Sequence, residues 1–112
     1  MTEPTHEQAQ LLLQIYDLRR EERLRAARVW FLQNFWAETM EEIEEIAPQG
    51  SDQNAYMRQV ASYWDMVCML MNQGLLHREQ FFTTSGEFYM VWNRFKPLTG
   101  MFRQSTRTRT SL

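Results

Sequence analysis

Apolar residues recur at steps of three and four along most of this chain. The longest such run lies between Ala55 and Leu76 (AYMRQVASYWDMVCMLMNQGLL). Tyr56, Val60, Tyr63, Trp64, Val67, Leu70 and Met71 fall on one face when the run is wound at the helical period. Gly74 stands just past the last apolar position, where a helix C-cap belongs. Ser51 or Asp52 is placed to cap the start, and Asp52 also favours the dipole. The spacing predicts a central helix over about residues 53–73, on which shorter helices pack.

Upstream, Thr5 followed by Gln8 makes a capping-box pattern and predicts a helix from about His6 to Leu18. Its inner stripe reads Ala9, Leu12, Leu13 and Tyr16. Leu11, Ile15 and Leu18 widen that stripe, which predicts a helix covered on more than one side. The apolar phase shifts between Leu18 and Glu21, so a break is expected there. A second helix then runs from about Glu21 to Asn34, with Leu24, Ala27, Phe31 and Phe35 on one face and Trp30 turned toward another neighbour. Glu38 to Ile46 predicts a short acidic helix with Met40, Ile43 and Ile46 inward, ended by Pro48 and Gly50.

Downstream of Gly74 a short helix is expected from His77 to Phe82. A last one runs from about Gly86 to Phe95, capped by Thr84 or Ser85, with Phe88, Val91, Trp92 and Phe95 on one face. Pro97 stops it. No repeat and no strand pattern is visible. The fold class is therefore all-α, a small bundle of four to five helices around the central one. Residues 1–98 read as a single domain. Residues 99–112 carry Arg103, Arg107 and Arg109 among Thr and Ser and read as a disordered tail, in which Met101 and Phe102 are placed to touch the body.

Composition sharpens this picture. The chain has 112 residues and 44% apolar content, enough for one core without staples. A single cysteine, Cys68, excludes an intrachain disulfide and points to a reducing, cytoplasmic setting. No apolar run is long enough for a membrane span, and the first ten residues lack a signal-peptide pattern. Net charge is −2, which weighs against general nucleic-acid binding, but the charge is unevenly placed. Arg19 to Arg28 holds five Arg against two Glu, whereas Glu38 to Glu45 holds five Glu and no base. Arg outnumbers Lys eleven to one, a bias that suits bidentate pairing with carboxylates.

The runs VASYWDMVCMLMNQGLLHREQFF and FYMVWNRFKPL, with the Arg-rich IYDLRREERLRAARVWFL upstream, resemble a domain of unknown function found in bacterial proteins. The likeness rests on Gly74-Leu75, the short helix at His77 to Phe82, and Trp92 with Pro97, and covers about Ile15 to Arg103. Members of that family tend to cap the short helix with an acidic residue, where this chain has His77. Some relatives look membrane-tethered by an added segment. The resemblance implies an all-helical fold and no particular activity.

No catalytic or metal-ligating constellation is legible, and no cofactor is implied. Cys68 lies mid-helix as a buried, inert thiol. His77 reads as a cap, since its His-x-Glu pair lacks the Pro-Cys-x-x-Cys of zinc deaminases. The Glu cluster has no His at di-iron spacing. Four Trp are many for a small bundle to hide. These features favour a non-enzymatic helical interaction module, self-associating or binding a protein partner through Trp30, Trp36, Arg19 and Arg23. A second reading is a ligand-binding or enzymatic bundle with a pocket of Tyr63, Trp64, Asp65, Trp92 and Arg94. A third is weak nucleic-acid binding through Arg19, Arg23 and the tail.

Overall fold

The computed structural model describes residues 3–98. Among these are six α-helices and no strand: α1 His6–Leu18, α2 Glu22–Asn34, α3 Met40–Ile46, α4 Asp52–Asn72, α5 Arg78–Thr84 and α6 Gly86–Phe95, followed by a 3-10 turn at Lys96–Leu98. The all-α bundle expected from the sequence is the observed fold, with six helices in place of four or five. The expected disordered tail at 99–112 lies outside the described residues.

The caps explain most boundaries. Thr5 Oγ1 accepts from Gln8 N–H at 3.0 Å and Gln8 Oε1 accepts from Thr5 N–H at 2.9 Å, completing the capping box. Glu21 Oε2 accepts from Leu24 N–H at 2.9 Å, so Glu21 caps α2 after the break at Arg19 and Arg20. Bonds from the backbone N–H of Leu24 and Arg23 hold its carboxyl below the ordinary range. Thr39, not foreseen as a cap, starts α3, and Ser51 starts α4. His77 Nδ1 accepts from Gln80 N–H at 3.2 Å, which makes it the cap of α5. Ser85 takes the N-cap position of α6 without a side-chain bond, while Thr84, the other expected cap, donates back to Gln80 and Phe81 carbonyls.

Helix α4 is the axis of the core. Val60, Tyr63, Trp64, Val67 and Met71 are buried along it. On one side Phe31 of α2 and Phe35 just past its end stack at 4.7 Å, and Phe95 of α6 lies 5.0 and 5.4 Å from them. On the other, Trp64, Phe81 and Phe88 meet edge to face, all with centroids 5.7–6.5 Å apart. The predicted α2 face, Leu24, Ala27, Phe31 and Phe35, is buried as a set.

Helix α1 departs from expectation. Only Leu12 and Ile15 are buried; Leu13 is 70% exposed, and Tyr16 and Leu18 also face outward. Tyr16 still meets α5 through its hydroxyl, which donates to Thr84 O, while the chain after α1 turns at Arg19 and runs α2 against α4, leaving Leu13 and Leu18 in solvent. Met40 of α3 is likewise exposed, leaving Ile43 as its anchor.

Helix α4 ends in a Schellman motif. Leu75 N–H donates to Leu70 O and Gly74 N–H to Met71 O, both at 3.0 Å, with Gly74 at φ +77°. Nothing lies within 4 Å of a Cβ built at Gly74, so only backbone strain opposes a side chain there. Gly86, in the first turn of α6, has equal space and no positive φ. Gly74→Ala should therefore cost about 1 kcal/mol, whereas Gly86→Ala should gain about 0.5 kcal/mol. Urea unfolding of the two variants checks the opposite signs.

Candidate interaction surface

Helix α6 is held to α2 at both ends. At its N-terminal end, Glu87 takes two bonds from Arg28: Nε to Oε2 at 2.7 Å and Nη2 to Oε1 at 2.8 Å. Arg19 adds a contact at 3.4 Å. All three side chains are largely buried, at 12–19% exposure. Arg28 also donates to the Arg19 carbonyl, and the bidentate bond to Glu87 raises its already high pKa. The Arg19 guanidinium lies 4.7 Å from the Tyr16 ring centre and 5.7 Å from that of Trp64.

At its C-terminal end, Arg94 caps α2. Its Nη1 donates to Phe35 O at 2.8 Å and to Phe31 O at 3.2 Å, and its Nη2 to Leu32 O at 2.8 Å. Phe31 O also accepts from Phe35 N–H at 2.9 Å, whereas Leu32 O and Phe35 O belong to the group of carbonyls that a helix end leaves for outside donors. Trp36 follows immediately and lays its ring 3.3 Å from the same guanidinium. Trp36 is nevertheless 65% exposed.

Two grooves flank α6. One, of about 540 Å³, is lined by Trp36, Ala37, Glu38, Glu42, Met90, Asn93, Arg94 and Pro97. Met90, Asn93, Arg94 and Pro97 follow the helical step, so this is one face of α6 against the α2–α3 corner. The other groove, of about 420 Å³, takes the neighbouring face, Phe88, Val91, Trp92 and Phe95, against Trp64, Asp65 and Cys68 of α4. It is the more apolar of the two. The Trp64 indole N–H is buried and has no hydrogen-bond partner among the described residues. Burial, and then the Asp65 carboxylate, push the Cys68 thiol above its ordinary range, which disfavours the reactive thiolate. Cys68 is half-buried rather than enclosed.

The candidate residues are thus redistributed. Trp64, Asp65 and Trp92 share the α4–α6 groove as expected of a pocket. Tyr63 does not line it: its hydroxyl donates to Ile15 O at 2.5 Å and so caps the end of α1. Arg94 faces the opposite groove. Of the candidate contact surface, Trp36 is exposed. Trp30 packs half-buried against Tyr56 and Phe35. Arg19 is committed to Glu87 and two aromatic rings, because the turn after α1 points it inward. Arg23 is exposed in a separate cleft with Arg58 and Asp52. Sequence reasoning missed Glu87 and Arg28, and nothing local marks them, since they meet across 59 positions. Among the described residues no three His, Cys, Asp or Glu side chains are arranged to hold a metal ion, and no helix is long and apolar enough to cross a membrane.

A family match spans residues 4–111. The chain belongs to the DUF4760 family, a domain of unknown function. Neither the curated proteins nor the solved structures contain a match. In this DUF4760 chain the residues that carry the family resemblance map onto the Schellman end of α4 at Gly74-Leu75, the short helix α5, and Trp92 at the rim of the α4–α6 groove.

Two outcomes follow from this geometry. Glu87→Gln leaves two guanidinium groups in a largely buried site without their carboxylate. It should cost about 3 kcal/mol in urea unfolding, because an uncompensated buried charge is expensive. Burial pushes the Tyr63 phenol up to about 12. Between pH 10 and 12 the unfolded chain then loses this proton while the fold keeps it, so stability is full below pH 10 and falls as pH rises toward 12. Tyr63→Phe should remove that part of the alkaline decline, read as the difference between the two stability–pH curves.

Proposed function

We propose that this domain is a non-enzymatic helical interaction module, working in the cytoplasm and self-associating through the surface around Trp36. The observation that supports it is a large aromatic side chain exposed on a rigid base. Arg94 is fixed by three backbone carbonyls, and Trp36 is fixed by Arg94. An exposed indole that has already lost its freedom binds at low entropic cost, and such residues dominate contact energies in protein interfaces. Met90 and Pro97 extend the apolar surface, and Glu38 and Glu42 give it a polar rim.

This reading favours Trp36 over the other indoles. Trp30 and Trp64 belong to the core, and Trp92 lies on the other face of α6, where no cation of the described residues stacks on it. Nucleic-acid binding is the poorer fit, because Arg19, one of its two body cations, is taken up by Glu87.

Sedimentation of the full chain over a wide concentration range tests the proposal. The mass should rise with concentration, and Trp36→Ser should weaken association at least tenfold, a loss of about 1.4 kcal/mol or more. Circular dichroism should stay unchanged, since the residue is exposed. A strict monomer at every concentration would overturn self-association.

A further inference from the structure

We propose that the groove between α4 and α6 is a second binding site, separate from the Trp36 surface, and that it takes a small organic cation, an ammonium group carried on an apolar body. Its shape, its aromatic surface and its single charge support this.

The shape comes from a mismatch in side-chain size. Ala61, Ser62, Asp65 and Cys68 recur at helical steps along one face of α4, and all are small. Phe88, Val91 and Trp92 stand opposite on α6. Helix α6 is pinned by its ends to α2, through Glu87 and Arg94, and the short side chains of α4 do not fill the space beside it. The result is a trough of about 420 Å³, within the usual range of small-molecule sites. Ala61 to Cys68 spans about 10 Å of α4, room for a ring with a short alkyl arm.

The aromatic surface is suited to a cation. Trp64 and Phe88 meet edge to face with centroids 5.7 Å apart and contribute apolar area to the lining. Trp92 is 44% exposed, and no cation of the described residues stacks on it. The face of an indole attracts a cation better than the other side-chain rings do.

The charge is Asp65. It is the only charged side chain lining the groove, and it forms no ion pair among the described residues. Its influence runs along the wall: after burial, it is the Asp65 carboxylate that pushes the Cys68 thiol up. Ser62, three residues before Asp65, adds a hydroxyl acceptor on the same face of α4. A carboxylate and an indole face on one apolar trough select by charge. An ammonium gains from both. A neutral molecule of the same shape gains only the apolar contact, and an anion is repelled.

The test titrates the ¹⁵N-labelled full chain at neutral pH with 3-phenylpropylammonium and, separately, with the neutral 3-phenylpropanol. The readout is the set of four tryptophan indole N–H signals, with Trp92 assigned through Trp92→Phe. The amine should move the Trp92 signal, leave those of Trp30 and Trp36 in place, and bind about tenfold more tightly than the alcohol, the combined effect of one exposed ion pair and one cation–π contact. Asp65→Asn should bring the amine down to the level of the alcohol without changing the alcohol, with an unmoved Trp30 signal reporting an intact fold. Saturating amine should also slow alkylation of Cys68, the single thiol of the chain, severalfold. Equal affinity for amine and alcohol, an amine affinity indifferent to Asp65→Asn, or a Cys68 left unprotected would each refute the inference. So would a Trp92 signal that shifts with protein concentration before any ligand is added, which would assign the groove to a basic side chain of a second copy. Amine affinity should be the same in the Trp36→Ser chain, so this site and the self-associating surface stand or fall separately.

Discussion

Every helix ends with carbonyls that its own backbone leaves unpartnered, and in this chain those ends decide where the helices go. None of α1 to α5 has a basic residue in its last turn to serve them. Donors arrive from elsewhere in the chain. Tyr63 reaches Ile15 O at the end of α1, and Arg28 reaches Arg19 O just past it. Arg94 takes three carbonyls at the end of α2, Asn54 takes Ala47 after α3, and Gln8 takes Gly74 after α4. Tyr16 donates to Thr84 at the end of α5. Apolar burial is non-directional and leaves neighbouring helices free to slide. These bonds are directional, and most of them join one element to another.

Helix α6 shows the consequence most clearly. It is short and buries only Val91 fully, yet Arg28–Glu87 and Arg94 pin both its ends to α2. Glu87 also places a negative charge in its first turn, where the dipole favours one and where Ser85 supplies no cap bond. A helix held by its ends does not need to be enclosed along its flanks. That is the physical origin of the two open grooves, and it explains why Trp92, Tyr89 and Met90 are tolerated in solvent. The Arg preference of the chain acquires a second meaning here. A guanidinium can serve two or three carbonyls from one side chain, which an ammonium on a flexible stem does less well.

Local chemistry was legible in the sequence and distant pairing was not. The capping box at Thr5, the break after Leu18, the face of α4 and its stop at Gly74 all follow from residues within a turn or two of one another. The α2 face was equally plain, because Phe31 and Phe35 repeat Leu24 and Ala27 at helical steps. Helix α1 misled for a definite reason. Leu13 and Tyr16 fall on its inner apolar stripe and Leu18 widens it, but periodicity reports what a helix offers and not whether a neighbour accepts it. Arg19 misled in the opposite sense: an Arg in a charged turn looks solvated, and only the fold supplies Glu87. For the surface, Trp36 was legible from its place past the end of α2, whereas its partner Arg94, nearly sixty positions on, was grouped with the wrong pocket.

Trp36 admits a purely structural account, and its geometry bears on that account. The ring covers the Arg94 guanidinium and shields three hydrogen bonds at the end of α2 from water, a contribution on the order of 1 kcal/mol. One face of an indole suffices for that duty. The other face still looks outward into a groove floored by Met90 and Pro97 and edged by two carboxylates. An aliphatic side chain could cover the cap with less apolar surface left in solvent. The cap therefore explains why Trp36 is held still, and it does not account for the exposed surface that the held ring presents. That surplus, fixed in place by a contact the fold needs in any case, distinguishes this corner from the exposed aliphatic side chains of α1. Leu13 and Leu18 of α1 are exposed as well, but no cation or carbonyl orders them.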